Sequence, residues 1–278
     1  MVSQYLTIRG VKIHYLVEGQ DAPLLFLHGH RSDALRWQNL IIKLGEKNKV
    51  FAPDLPGFGL SEELPTFHSI ENYLPFLKEF VRVLKLENFT LIGASFGAAL
   101  SVLILKEMPG KIKKLVLLGP IYDKNSFKIP KIKLIFALLL LSIFPRSNLL
   151  VRFSNRFIKS DRLFKPFLKF RFPKEARTLR ILDYEARQWR VMSIKVWAQT
   201  LYSLLTFSPK IEKEIFVPAL FIFPENDQYL DISRTLTSLK KVFPKSEVFY
   251  LKTLNHMPKG EITPAFLENF NDLFEKLN

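Results

Sequence analysis

Gly93-Ala94-Ser95-Phe96-Gly97 follows the apolar run Phe89-Thr90-Leu91-Ile92 and opens a helix-period stretch that begins at Ala98. A serine on so tight a strand-to-helix turn is held in a strained backbone conformation, its hydroxyl projecting above the edge of a sheet. The glycines two residues to either side keep side chains away from neighbouring backbone. The N–H of Phe96, at the start of the helix, points where negative charge on a reacting oxygen would form.

Outward from this turn, short apolar runs recur at Leu24–Leu27, Val50–Ala52, Leu115–Leu118, Ala219–Phe223 and Val248–Leu251. Bounded by Gly, Pro or polar residues, they suit strands buried on both faces. Helix-period segments near 35–45, 70–85, 97–107, 230–242 and 264–277 alternate with them. Residues 2–8 and 11–17 alternate polar and apolar, as in an antiparallel hairpin that turns at Arg9-Gly10. The pattern predicts an α/β chain with a mostly parallel, doubly wound sheet.

The alternation stops between Gly119 and about Leu205, where the chain reads as helical, basic and rich in Phe and Leu. The expected organisation is a core of residues 1–119 and 206–278 with a helical cap, or lid, of residues 120–205 inserted in it. The cap's most apolar part, Ile132–Phe144, has 13 residues and includes Lys133 and Ser142. A bilayer crossing needs about 20 residues, so this segment is expected to be a buried or interfacial helix.

The 278 residues carry a net charge of +15. Residues 120–205 hold 18 Lys or Arg against 5 acids, whereas the rest of the chain holds 23 against 21. Either the block merely presents solvated lysine faces, or it meets an anionic partner such as a membrane surface. No nucleic-acid partner is expected. The chain has no cysteine, which excludes disulfides and thiolate metal sites and suits a reducing compartment. Its first residues read as a strand rather than a signal peptide, so a cytoplasmic location is expected.

A serine nucleophile needs an imidazole base, and the imidazole needs a carboxylate to hold its tautomer and stabilise its charge. Of five histidines, His14 lies in the first hairpin, His28 and His30 follow the strand at Leu24, and His68 precedes a helix. His256, after the last predicted strand, is left as the base. Asp227, in Pro224-Glu225-Asn226-Asp227, follows another strand and is the leading acid; Asp123 and Asp231 compete with it. The loop His28-Gly29-His30 is where a second oxyanion donor belongs, and the His30 N–H is the best-placed candidate, with Arg31 next. His28 is read as tying this loop down. Zinc is disfavoured there: the metal-hydrolase pattern H-x-H-x-D-H would need Asp and His where Ser32 and Asp33 stand.

These segments resemble the α/β-hydrolase superfamily over nearly the whole chain. They run in its order: His28-Gly29-His30 with Trp37 downstream, Asp54-Leu55-Pro56-Gly57-Phe58-Gly59-Leu60-Ser61, the turn at Ser95, Asp227, and His256-Met257-Pro258. Pro224 and Asn255 stand where the family usually has Gly, and the spacing from Glu261 to Pro264 is one residue longer. The resemblance implies a serine hydrolase with Ser95, His256 and Asp227 as a triad, Phe96 and His30 N–H groups as the oxyanion hole, and no cofactor or metal. Asp54 takes no catalytic role. Relatives that dehalogenate or open epoxides place Asp at the nucleophile position, which disfavours both. The leading expectation is a carboxylesterase acting on apolar esters of short to medium acyl chain, acylated lactones included. A carbon–carbon hydrolase of an anionic diketone stands second, and a binding module that has lost turnover third.

Overall fold

In the computed structural model, residues 1–171, 178–251, 256, 262, 267 and 268 are described. The expected last helix at 264–277, with Asn255, Met257, Pro258, Glu261 and Pro264, lies outside them, apart from Leu267 and Glu268. Eight strands form one sheet: β1 Val2–Ile8, β2 Val11–Glu18, β3 Ala22–Leu27, β4 Asn48–Pro53, β5 Phe89–Ala94, β6 Ile112–Leu118, β7 Ala219–Pro224 and β8 Ser246–Leu251. Their order is β1-β2-β4-β3-β5-β6-β7-β8. β1, β2 and β4 pair antiparallel, and every pair from β4 to β8 is parallel. The first hairpin turns at Arg9 and Gly10, both at positive φ (50° and 80°), as a two-residue turn matched to strand twist requires.

Strand periodicity divides the core. Leu24, Phe26, Ile92, Val116 and Ile222 face one side of the sheet, where α1 (Gln38–Gly45) contributes Leu40, Ile41 and Leu44. Leu25, Leu27, Leu91, Leu117 and Phe221 face the other, against α2 (Ile70–Val83) and α3 (Phe96–Glu107). All residues of β5 are buried, and α3 is buried from Phe96 through Leu105, so the turn between them lies at the centre of the sheet. A helix buried on all sides needs no polar face, which is why α3 is apolar around its whole circumference.

Between β6 and β7 the chain forms α4 (Lys131–Ile143), α5 (Asn148–Lys159), α6 (Asp161–Arg171), α7 (Leu179–Arg190) and α8 (Ile194–Thr206). The apolar segment at Ile132–Phe144 is not a buried helix: Leu141 alone among the residues of α4 is buried. The inner side of α4, with Leu134, Leu138 and Leu141, packs on Ala198 and Leu205 of α8, and its outer side is open. After the insertion the chain returns to the core as β7 and α9 (Ile232–Val242). Asp231 precedes α9 and caps it by accepting the Arg234 N–H, rather than lying inside that helix.

Candidate active site

The carboxyl ends of the parallel strands carry the candidate residues, as expected where an open α/β sheet gathers its loops. Ser95 leaves β5 at φ 51° and ψ −105°, a conformation costing roughly 1–3 kcal/mol and held by its surroundings. Those surroundings admit no side chain at the flanking glycines. A Cβ on Gly93 would lie 2.4 Å from the Gly97 carbonyl oxygen, and one on Gly97 would lie 2.2 Å from that of Leu27. The sharp turn and the two glycines are therefore one packing requirement.

His256 lies beside this turn. Its Nδ1 is 2.6 Å from Asp227 Oδ2, and its Nε2 is 2.9 Å from Ser95 Oγ. An ionised carboxylate can only accept, so Nδ1 carries the proton and Nε2 accepts from the Ser95 hydroxyl. Asp227 is held from the other side as well: its Oδ1 accepts the N–H groups of Tyr229 and Leu230 at 2.8 and 2.9 Å. Burial pushes the Asp227 carboxyl pKa up, but the His256 hydrogen bond and charge with these two N–H donors outweigh it and hold it below the usual value. Asp123 has another task. It caps a short helical turn, accepting from the Asn125 N–H at 2.7 Å. The structure thus brings Ser95, His256 and Asp227 together and leaves Asp123 and Asp231 as helix caps.

The loop after β3 runs past the serine; a Cβ on Gly29 would sit 3.4 Å from that of Ser95. Both ring nitrogens of His28 are engaged: Nδ1 donates to the Gly29 carbonyl and Nε2 accepts the Leu55 N–H, which ties this loop to the one after β4. Burial holds His28 below the ordinary imidazole value, in keeping with a neutral ring. The His30 ring donates to Thr200 Oγ1 of α8 at 2.9 Å and packs against Phe58, Phe96 and Trp197. Burial, then the Arg31 charge, lowers its pKa to about 3. A neutral ring fixed from above orients the His30 backbone, while Phe96, the first residue of α3, has an N–H with no partner inside the helix.

Asp54 is a buried hub rather than part of this chemistry. It takes hydrogen bonds from His14 Nδ1 and from the N–H groups of Ala34 and Leu60. Its pKa is raised by burial, but these bonds lower it further and leave it below the usual carboxylate range.

Several neighbours carried no legible signal in the sequence. Tyr229 meets the His256 ring edge-on, Lys128 Nζ donates to the Asp227 carbonyl, and Trp197 and Thr200 come from the insertion. Tyr229 alone was accessible in principle, two residues after Asp227, where an N–H closing a carboxylate turn is common. From the same loop as His30, Arg31 reaches Glu185 at 3.3 Å and lies over Trp189, so the insertion is latched to the core beside the site.

Residues 22–259 match the family described as alpha/beta hydrolase fold. The chain belongs to that family. Among curated relatives, haloalkane dehalogenase 2 of Mycobacterium tuberculosis is 31% identical over 107 residues, 38% of this chain and 37% of that protein. The 2-hydroxy-6-oxo-2,4-heptadienoate hydrolase of Pseudomonas putida is 28% identical over 116 residues, 40% of this chain and 42% of that protein. The alignments thus span only about two fifths of these relatives. An esterase from Exiguobacterium antarcticum has the same fold, with a TM-score of 0.71 at 17% identity over 99% of this chain and 98% of its own. This α/β-hydrolase thus has curated relatives named haloalkane dehalogenase and 2-hydroxy-6-oxo-2,4-heptadienoate hydrolase.

Proposed function

We propose that the chain is a serine hydrolase of carboxylic esters, with Ser95 as nucleophile, His256 as general base and Asp227 orienting the imidazole. The observation that carries this reading is the continuous hydrogen-bonded line from Asp227 Oδ2 through His256 to Ser95 Oγ, at 2.6 and 2.9 Å. Ser95 Oγ attacks the ester carbonyl carbon while His256 Nε2 takes its proton. The carbonyl π pair moves onto oxygen, where the Phe96 and His30 N–H groups stabilise it. Collapse expels the alkoxide, which receives the proton from His256. Water then attacks the acyl-Ser95 ester by the same route and releases the acid.

Serine also argues against halide displacement, despite the dehalogenase relatives. Its attack on a saturated carbon would leave an ether, which water and a triad do not cleave; a carboxylate nucleophile leaves an ester, which they do. Half-buried Trp197 packs on the ring of His30, the residue after Gly29 that borders Ser95, supporting an apolar acyl group of short to medium length, acylated lactones included. Helices α4–α8 act in this reading as the lid, with residues 120–205 as the cap unit. A carbon–carbon hydrolase is the second reading, favoured by the named relative.

The experiment is labelling with an alkyl fluorophosphonate, read by intact-protein mass spectrometry. The wild-type chain should take one equivalent and Ser95→Ala none at equal helicity. Stoichiometric labelling of Ser95→Ala would remove the serine from this role. An ester, lactone and diketone panel then separates the two substrate classes.

A further inference from the structure

On α4, Ile132, Ile135, Phe136, Leu139, Leu140 and Ile143 are between 52% and 74% exposed. Their spacing of three and four residues places them in one stripe along the helix. The opposite side of α4 already packs on α8, so this stripe is a second apolar face, turned away from the protein. After a sharp bend, α5 adds Leu149, Leu150 and Phe153, from 47% to 78% exposed. Monomeric proteins scatter single apolar residues over their surfaces, and a contiguous run of this extent marks a contact surface.

The charge beside it identifies the partner. Residues 131–170 hold nine Lys or Arg and one acid, Asp161. Lys131, Lys133, Arg146, Arg152, Arg156 and Lys159 are exposed and interleave with the apolar residues. Asp161 is shared between Lys165 and Arg190, so it offers little offset to the rest. Pairing of this face with a second copy would bring two strongly positive blocks together. An anionic lipid surface instead receives both features, with basic side chains at the headgroups and the apolar stripe between acyl chains.

Neither helix can cross a bilayer by itself; among the described residues only the bent pair of α4 and α5 together has the length and composition for it. Among the described residues no single helix is long and apolar enough to cross a membrane, and the segment of α4 meets α5 at a bend of 97°. Thirteen residues of α helix rise about 20 Å, short of the roughly 30 Å hydrocarbon core. We infer that α4 and α5 form a peripheral docking surface for anionic lipid bilayers. This inference does not depend on the hydrolytic reading, because its test measures binding alone.

The chain has no cysteine, so a single one can be labelled selectively. Phe136→Cys and Lys240→Cys, the latter on the exposed side of α9, would each carry an environment-sensitive fluorophore. Vesicles of phosphatidylcholine mixed with phosphatidylglycerol should shift the emission at position 136 to the blue and leave position 240 unchanged. Phosphatidylcholine alone should do much less at position 136. In vesicle flotation of the unlabelled chain, Arg152→Ala with Arg156→Ala should weaken low-salt binding roughly fivefold per charge, about 25-fold together. Ile135→Ser with Leu139→Ser should abolish the fraction that stays bound when salt screens the exposed charges. Circular dichroism and thermal unfolding confirm that each variant is folded; the Phe136→Cys readout is a gain of signal and needs no loss-of-function variant. The inference is overturned if anionic vesicles shift neither position or both alike. It is equally overturned if light scattering finds a dimer that Ile135→Ser with Leu139→Ser splits, which would make the face a contact between copies.

Discussion

Asp227→Asn is the most informative perturbation, because the structure dictates how the new amide must sit. The side chain is fully enclosed, and its Oδ1 position receives two N–H donors, from Tyr229 and Leu230. The asparagine carbonyl must therefore occupy that position, and its NH2 must take the place of Oδ2, 2.6 Å from His256 Nδ1. An NH2 group donates there, so Nδ1 becomes an acceptor and the imidazole proton moves to Nε2. Nε2 then faces Ser95 Oγ as a donor and cannot take its proton. The imidazolium formed during attack has also lost its counter-charge. A wrong tautomer in an otherwise intact triad lowers kcat by about 10⁴, equivalent to about 5 kcal/mol of transition-state stabilisation. Steady-state hydrolysis of a chromogenic short-chain ester measures this. KM should change little, and thermal unfolding should show a folded variant. Asp123→Asn, at a cap away from the histidine, should stay within about twofold, as for other surface changes. A loss of less than tenfold in Asp227→Asn, or a larger loss in Asp123→Asn, would refute the assignment of the acid.

Other consequences concern the turn and the buried histidines. Gly97→Ala would place a Cβ against the Leu27 and His28 backbone, where no flexible group can give way. It should cost about 3 kcal/mol, read as a lower urea midpoint with unchanged m, and a midpoint equal to wild type would contradict the packing argument. His68 is buried, its Nε2 has no hydrogen-bond partner, and burial followed by the Lys195 charge lowers its pKa to about 4. The unfolded chain protonates this group near pH 6.5 and the folded chain only near pH 4, so stability is lost as pH falls through that window, by up to about 3 kcal/mol. His68→Gln should lose less stability between pH 7 and pH 4.5 than wild type in matched urea titrations. Equal losses in the two proteins would place the acid sensitivity elsewhere.

The sheet, the hairpin at Arg9-Gly10 and the turn at Ser95 were legible from the sequence because each follows from short-range physics. Apolar runs bounded by Gly or Pro mark buried strands, and Gly93 and Gly97 answer a local steric demand. The candidate serine, histidine and acid could be named because they occupy strand ends, and strand ends of one parallel sheet gather at one edge. Which carboxylate meets His256 was not decided locally: Asp123 and Asp227 both follow strands, and only the tertiary structure turns Asp227 toward the imidazole while Asp123 caps a helical turn. The His30–Thr200 contact, 170 residues apart in the chain, has no local signature at all. The outward stripe of α4 is the sharpest case. A helix apolar on every side reads identically whether both faces are covered or one is open, because periodicity reports which residues share a face and says nothing of what lies across from it. Only the placement of α8, on one side of α4, decides that the other side is exposed.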